Sequence, residues 1–136
     1  MNAPTKLIVV VEPSRIMRKL LEAHFQLAGH CVVTFEHYTD ALHTLPRYPA
    51  QAPGLAFVAV HARIPESTRV LQCLRKLHPH MLIAAITMKE DSTQHTVQKV
   101  VQETNAVLVI APFQIEDVLA LCNPDQLPQK QGVPTI

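Results

Sequence analysis

The residues with the widest chemical reach in this sequence are its eight histidines: His24, His30, His37, His43, His61, His78, His80 and His95. Borderline metals such as Zn²⁺ need several imidazole, thiolate or carboxylate ligands converging on one point. No two of these histidines share a helix face at ligand spacing, and His78 and His80 merely flank Pro79 in a turn. The three cysteines, Cys31, Cys73 and Cys122, are an odd number at wide spacing in apolar surroundings. They read as reduced, small hydrophobic side chains, and no disulfide framework is expected. With only three glycines there is no phosphate-cradling loop, and neither a Ser/His/Asp order nor a pair of carboxylates with evident acid and base roles is present. An enzyme, including one binding a flavin-type phosphate, has no motif behind it.

Bulk properties narrow the classes further. A chain of 136 residues fits one domain, and 48% apolar residues are enough for a core. A formal charge of +1, no basic stripe and 4% aromatics give neither the electrostatic footprint nor the stacking platform of a nucleic-acid binder. No apolar run approaches the roughly 20 residues that span a bilayer. A cytoplasmic protein without membrane contact or cofactor is expected.

Whatever chemistry exists must be positioned by elements that alternate in type. Lys6 to Val11 is a near-continuous β-branched run, as in a strand buried on both faces. Ser14 then caps a helix in which Ile16, Met17, Leu20, Leu21, Leu27 and Ala28 recur at three- and four-residue spacing, and Gly29 stops it. Strands follow at Cys31 to Phe35, Leu55 to Val60, Met81 to Thr87 and Ala106 to Ile110. Between them lie helices at Thr39 to Leu45 (Thr39 as cap), Ser67 to Leu77 and Ser92 to Thr104, with a last helix at Gln114 to Cys122. Pro46 to Gly54 is a loop, and His78-Pro79 is a helix stop.

Five such units predict an α/β, flavodoxin-like (βα)5 fold with a doubly wound, five-stranded parallel sheet. The domain spans 1–122, and 123–136 is a polar, aperiodic tail or linker. In such a sheet the carboxyl ends of the strands share one edge, where sites form. That edge would gather Glu12, His61, Thr87 and Ala111.

The residues VVVEPSRIMRKLLEAHF, AGHCVVTFEHYTDAL, HARIP (61–65), AAIT (84–87) and VIAPF (109–113) occur in the order of the landmarks of bacterial response-regulator receiver domains. Over residues 6–122 the chain resembles that family, including its single-domain chemotaxis regulator. The resemblance implies a site in which two acidic residues after the first strand and a phosphoacceptor aspartate after the third hold Mg²⁺. A hydroxyl residue after the fourth strand and a lysine after the fifth complete it.

Here those positions fall on Glu12, Pro13, His61, Thr87 and Ala111. The aromatic switch position falls on Leu108, and Pro112 marks the turn after the fifth strand, where the family commonly has a cis bond.

Phosphoryl transfer to a carboxylate is mostly positioning and charge neutralisation, and Mg²⁺ wants octahedral oxygen ligands. Pro13 has no side-chain oxygen, His61 offers nitrogen, and Ala111 offers no ammonium. The sequence therefore predicts a degenerate phosphoacceptor pocket without catalytic residues. Its likeness implies a phosphorylation-independent signalling module of a two-component or phosphorelay system. Such a module binds a protein partner: a kinase, an output domain or another regulator. It is either a stand-alone adaptor or the N-terminal part of a larger regulator, with a homodimer through residues 92–122 as one expected assembly. The alternative is a metal- or small-ligand-sensing domain using His61. Each residue also has a plainer role: Glu12 beside a helix N-terminus, His61 filling space, Thr87 a small β-branched residue at a strand end.

Overall fold

The computed structural model describes residues 6–47 and 53–122. The tail at 123–136 and most of the loop before Gly54 lie outside the described residues. Five parallel strands, β1 (Leu7–Val11), β2 (Cys31–Phe35), β3 (Leu55–Ala59), β4 (Leu82–Met88) and β5 (Val107–Ala111), form one sheet in the order β2-β1-β3-β4-β5. Helices α1 (Arg15–Leu27), α2 (Tyr38–Thr44), α3 (Pro65–Leu77), a single turn α4 (Lys89–Ser92), α5 (His95–Thr104) and α6 (Ile115–Ala120) connect or follow them. The expected flavodoxin-like (βα)5 architecture is the observed one. Among the described residues no helix is long and apolar enough to cross a membrane.

Strand periodicity divides the apolar residues between two cores. Val9 and Val11 of β1, with Val58, Ile83 and Ala85, pack under α2, α3 and α5 through Ala41, Val70, Leu74 and Val97. Ile8 and Val10 face the other way with Phe57 and Ile86, under Leu21 and Phe25 of α1 and Val118 of α6. Successive residues of one strand thus serve opposite layers, which is why the runs look continuous. β2 and β5 lie at the edges, and their residues are correspondingly less buried.

Helix ends follow their local chemistry. The Ser14 hydroxyl accepts from the Met17 N–H at 3.3 Å, capping α1, and Gly29 takes φ 92°, a conformation glycine adopts without a Cβ penalty. Asn105, at φ 54°, ends α5 in the left-handed region.

Four expectations are corrected. The stripe Ile16, Leu20, Leu27 faces outward, with Ile16 84% and Leu27 85% exposed, whereas Leu21 and Phe25 are buried. α2 starts at Tyr38 without a side-chain cap from Thr39, because Tyr38 is drawn into the core and its hydroxyl donates to the Ala59 carbonyl at 2.6 Å. Ser92 ends the short α4 turn instead of opening α5, since its hydroxyl donates back to the Lys89 carbonyl at 2.6 Å. Cys31 is exposed, unlike Cys73 and Cys122; burial pushes the Cys122 thiol up to about 11, away from reactivity.

Candidate functional site

The sheet order reverses direction around β1 and β3, so the crevice beyond their carboxyl ends is the natural place for a site. There a cleft of about 510 Å³ is lined by Glu12, Pro13, Ser14, Met17, Ala59, His61, Ile86, Thr87, Met88 and Ala111. The four residues expected at the strand-end edge, Glu12, His61, Thr87 and Ala111, line this one mouth together with Pro13. Leu108 is half-buried on the edge strand β5, opposite Ala85, outside the residues lining the mouth. The Ala111-Pro112 peptide that leaves β5 is cis.

Each wall is held by an identifiable bond. The Glu12 N–H donates to the Phe35 carbonyl, extending β1 by one residue along β2. The Glu12 side chain is 7% exposed, and its Oε2 accepts from the Ser14 N–H at 3.1 Å, beside the N-terminus of α1. Burial pushes this carboxyl up from its ordinary value, against the Ser14 hydrogen bond and the nearby His61 and Arg18. Arg18 itself donates to the Glu12 carbonyl at 2.9 Å and the Pro13 carbonyl at 3.3 Å, with Glu36 3.9 Å away. Its Nη1 is therefore committed to backbone, and the residue does not line the mouth.

His61 is carried by the first residues after β3. Ser67, fully buried at the start of α3, accepts from the His61 N–H at 3.1 Å and donates to the Ile64 carbonyl at 2.7 Å, with the His61 carbonyl at 3.1 Å as a second acceptor. One hydroxyl thus fixes the loop that presents the imidazole. His61 Nδ1 lies 3.6 Å from Oδ2 of Asp91, on α4. Asp91 belongs to an adjoining polar cleft of about 460 Å³ that also includes Arg63, Glu90 and Gln94. Thr87 is buried, and its hydroxyl donates to the Val60 carbonyl at 2.9 Å, sealing β4 against the end of β3.

Two residues escaped the sequence reading. Asp91 follows no strand directly and meets His61 across a turn, while Ser67 acts through a loop six residues away. No local pattern marks either; only the closure of the fold brings them in.

The donor set does not suit Mg²⁺. That ion takes near-octahedral oxygen coordination, usually with carboxylates. The mouth supplies one buried carboxylate, Glu12, already bonded through one oxygen, beside an imidazole, a proline and a hydroxyl that donates elsewhere. Among the described residues no three His, Cys, Asp or Glu side chains gather as a metal site. Of the histidines, His30 is a structural group: buried, with Nδ1 accepting from the Lys6 N–H at 3.1 Å.

No family model and no curated protein matches the sequence. Solved structures do match in shape. A CheY-like response regulator receiver domain protein from Methanospirillum hungatei superposes with TM-score 0.72 at 17% identity, over 90% of this chain and 94% of that one. An adenylate cyclase structure from Rhodopirellula baltica gives TM-score 0.73 at 21% identity, over 89% of this chain and 87% of that one. A response regulator from Burkholderia pseudomallei with a phosphorylated aspartic acid and a calcium ion gives 0.69 at 16% identity, over 88% and 68% respectively. The fold is that of CheY-like response-regulator receiver domains. At these identities the likeness carries the architecture, not an activity.

Proposed function

We propose that this domain is a receiver-like signalling module that works without phosphorylation, by binding proteins of a two-component or phosphorelay system. The observation that carries the reading is the donor set of the mouth. The Burkholderia pseudomallei structure combines a phosphorylated aspartate with a bound cation, whereas the third strand here leads into His61 and the fifth ends at Ala111. One carboxylate, no ammonium and a hydroxyl committed to Val60 are too little to neutralise a transferring phosphoryl group.

Binding takes the place of chemistry in this reading. Ile16, Leu20 and Leu27 are exposed on one side of α1 and are the first candidate contact surface. The half-exposed edge strand β5, within residues 92–122, is the second candidate surface and the proposed route to a homodimer. The partner is a kinase, an output domain or another regulator. The domain acts either as an adaptor or as the N-terminal part of a longer regulator.

Incubation with acetyl phosphate and Mg²⁺, followed by intact-mass measurement, tests the first half. No added phosphoryl group is the expected result; stoichiometric addition would contradict it. For the second half, Ile16→Glu with Leu27→Glu and, separately, Leu108→Arg are expected to abolish crosslinks to partner or to a second copy while leaving the fold intact.

A further inference from the structure

We propose that the mouth at the strand ends binds a small organic cation: a flat apolar body carrying one ammonium or amidinium head. This rests on the reading of the same mouth as one that does not take Mg²⁺, and the experiment separates the two.

At about 510 Å³ the cleft lies within the roughly 300–1,000 Å³ of small-molecule sites. Its walls are mainly apolar: Pro13, Met17, Ala59, Ile86, Met88 and Ala111. Met88 is 48% exposed at the rim, and an unbranched thioether there can settle on a flat ligand.

Among these apolar walls stands a single buried anion. The Glu12 residue is 7% exposed, and the hydrogen bond it accepts among the described residues reaches Oε2 only. No buried side-chain oxygen among the described residues lacks a partner, so Oε1 reaches solvent through the cleft that Glu12 lines. A mostly buried carboxylate whose spare oxygen opens only onto a cleft recovers part of its lost solvation from an incoming N–H donor, best a charged one.

The sign of the ligand follows from where the cations are. Arg18 gives Nη1 to the Glu12 and Pro13 carbonyls, has Nη2 3.9 Å from Glu36, and is absent from the lining. At the end of β5, Ala111 supplies no charge. His61 faces Asp91, a second carboxylate, at 3.6 Å. Among the residues that line the mouth, an anionic ligand would meet the Glu12 carboxylate with no lysine or arginine to answer it, whereas a cation meets Glu12 directly, with Asp91 behind His61.

Tryptamine, 3-ethylindole and indole-3-propionate share one apolar body and differ in the charge of the head. Each is titrated into the ¹⁵N-labelled protein near neutral pH. Tryptamine is expected to shift the amide resonances of Glu12, Ser14, His61 and Met88 saturably, with Kd near or below about 1 mM, the neutral analogue at least about tenfold more weakly, and the acid not at all. Glu12→Gln should weaken tryptamine at least about tenfold and bring it level with 3-ethylindole. Met88→Ser, on the exposed rim where folding is not at stake, should weaken all binding about threefold. A silent tryptamine titration, saturable shifts confined to another surface, equal affinity for the acid, or an unchanged Glu12→Gln variant would overturn the proposal. Magnesium chloride alone should move none of these resonances. If it moves them while tryptamine also binds, the metal-free reading fails and the cation site stands.

Discussion

The two ends of the sheet treat their polar groups in opposite ways. At the end where the chain enters β4 and β5, Arg75 of α3 gathers four backbone carbonyls: Thr104 at 2.6 Å, Met81 at 2.7 Å, Pro79 at 3.0 Å and His78 at 3.2 Å. One guanidinium there satisfies the ends of α3 and α5 together, a use for which its five fixed donors suit it. At the other end Glu12 keeps an oxygen to spare, His61 meets Asp91 at 3.6 Å, and Met88 stands half in solvent. The first end consumes its valences in holding the fold. The second leaves them over, and leftover valences are what a ligand or partner can use.

Substitutions should separate the two ends by the size of their effect. Arg75→Met keeps the aliphatic stem but removes all four bonds, and urea denaturation should show a loss of about 3 kcal/mol. Ser67→Ala removes the hydroxyl that fixes the His61 loop; a loss of about 1–2 kcal/mol is expected, with line broadening confined to residues 61–64. A Ser67 effect as large as that of Arg75 would erase the contrast, because the mouth would then carry as much of the fold as the clamped end.

Glu12→Gln should act in the opposite direction. The folded carboxyl sits above its ordinary value of 4.5, chiefly through burial, so only between those two values does the native state hold a proton that the unfolded chain has released. Its favourable contribution is therefore present below 4.5 and is lost as pH rises through the folded value. The glutamine variant should match the parent in acid and exceed it in stability near neutrality; equal pH profiles would contradict the burial of this charge. His61→Asn, at a half-exposed position, should change stability by no more than about 0.5 kcal/mol.

Most of the architecture could be read from the sequence because its signals are local. LIVVV and LAFVA state burial on both faces, Ser14 and Gly29 bracket α1, and the alternation of elements leaves few arrangements for a parallel sheet. The collection of Glu12, His61, Thr87 and Ala111 followed from topology, since each ends or follows a strand, and Pro13 joined them through the family resemblance. What was not legible depends on contacts between distant segments. On α1, Ile16-Leu20-Leu27 and Leu21-Phe25 both fit helical spacing, and only the packing of the sheet selects the second for the core. Arg75 finds Thr104 29 positions away, and Asp91 reaches His61 because a serine folds back on Lys89 and ends a turn early.

The claim on which the rest depends is that the strand-end mouth does not organise a divalent cation beside an acceptor carboxylate. Titration of the ¹⁵N-labelled protein with beryllofluoride in excess Mg²⁺ addresses it directly. The account predicts unmoved amide resonances at Glu12, His61, Thr87 and Ala111 throughout. Saturable, one-to-one shifts at those four residues would contradict it.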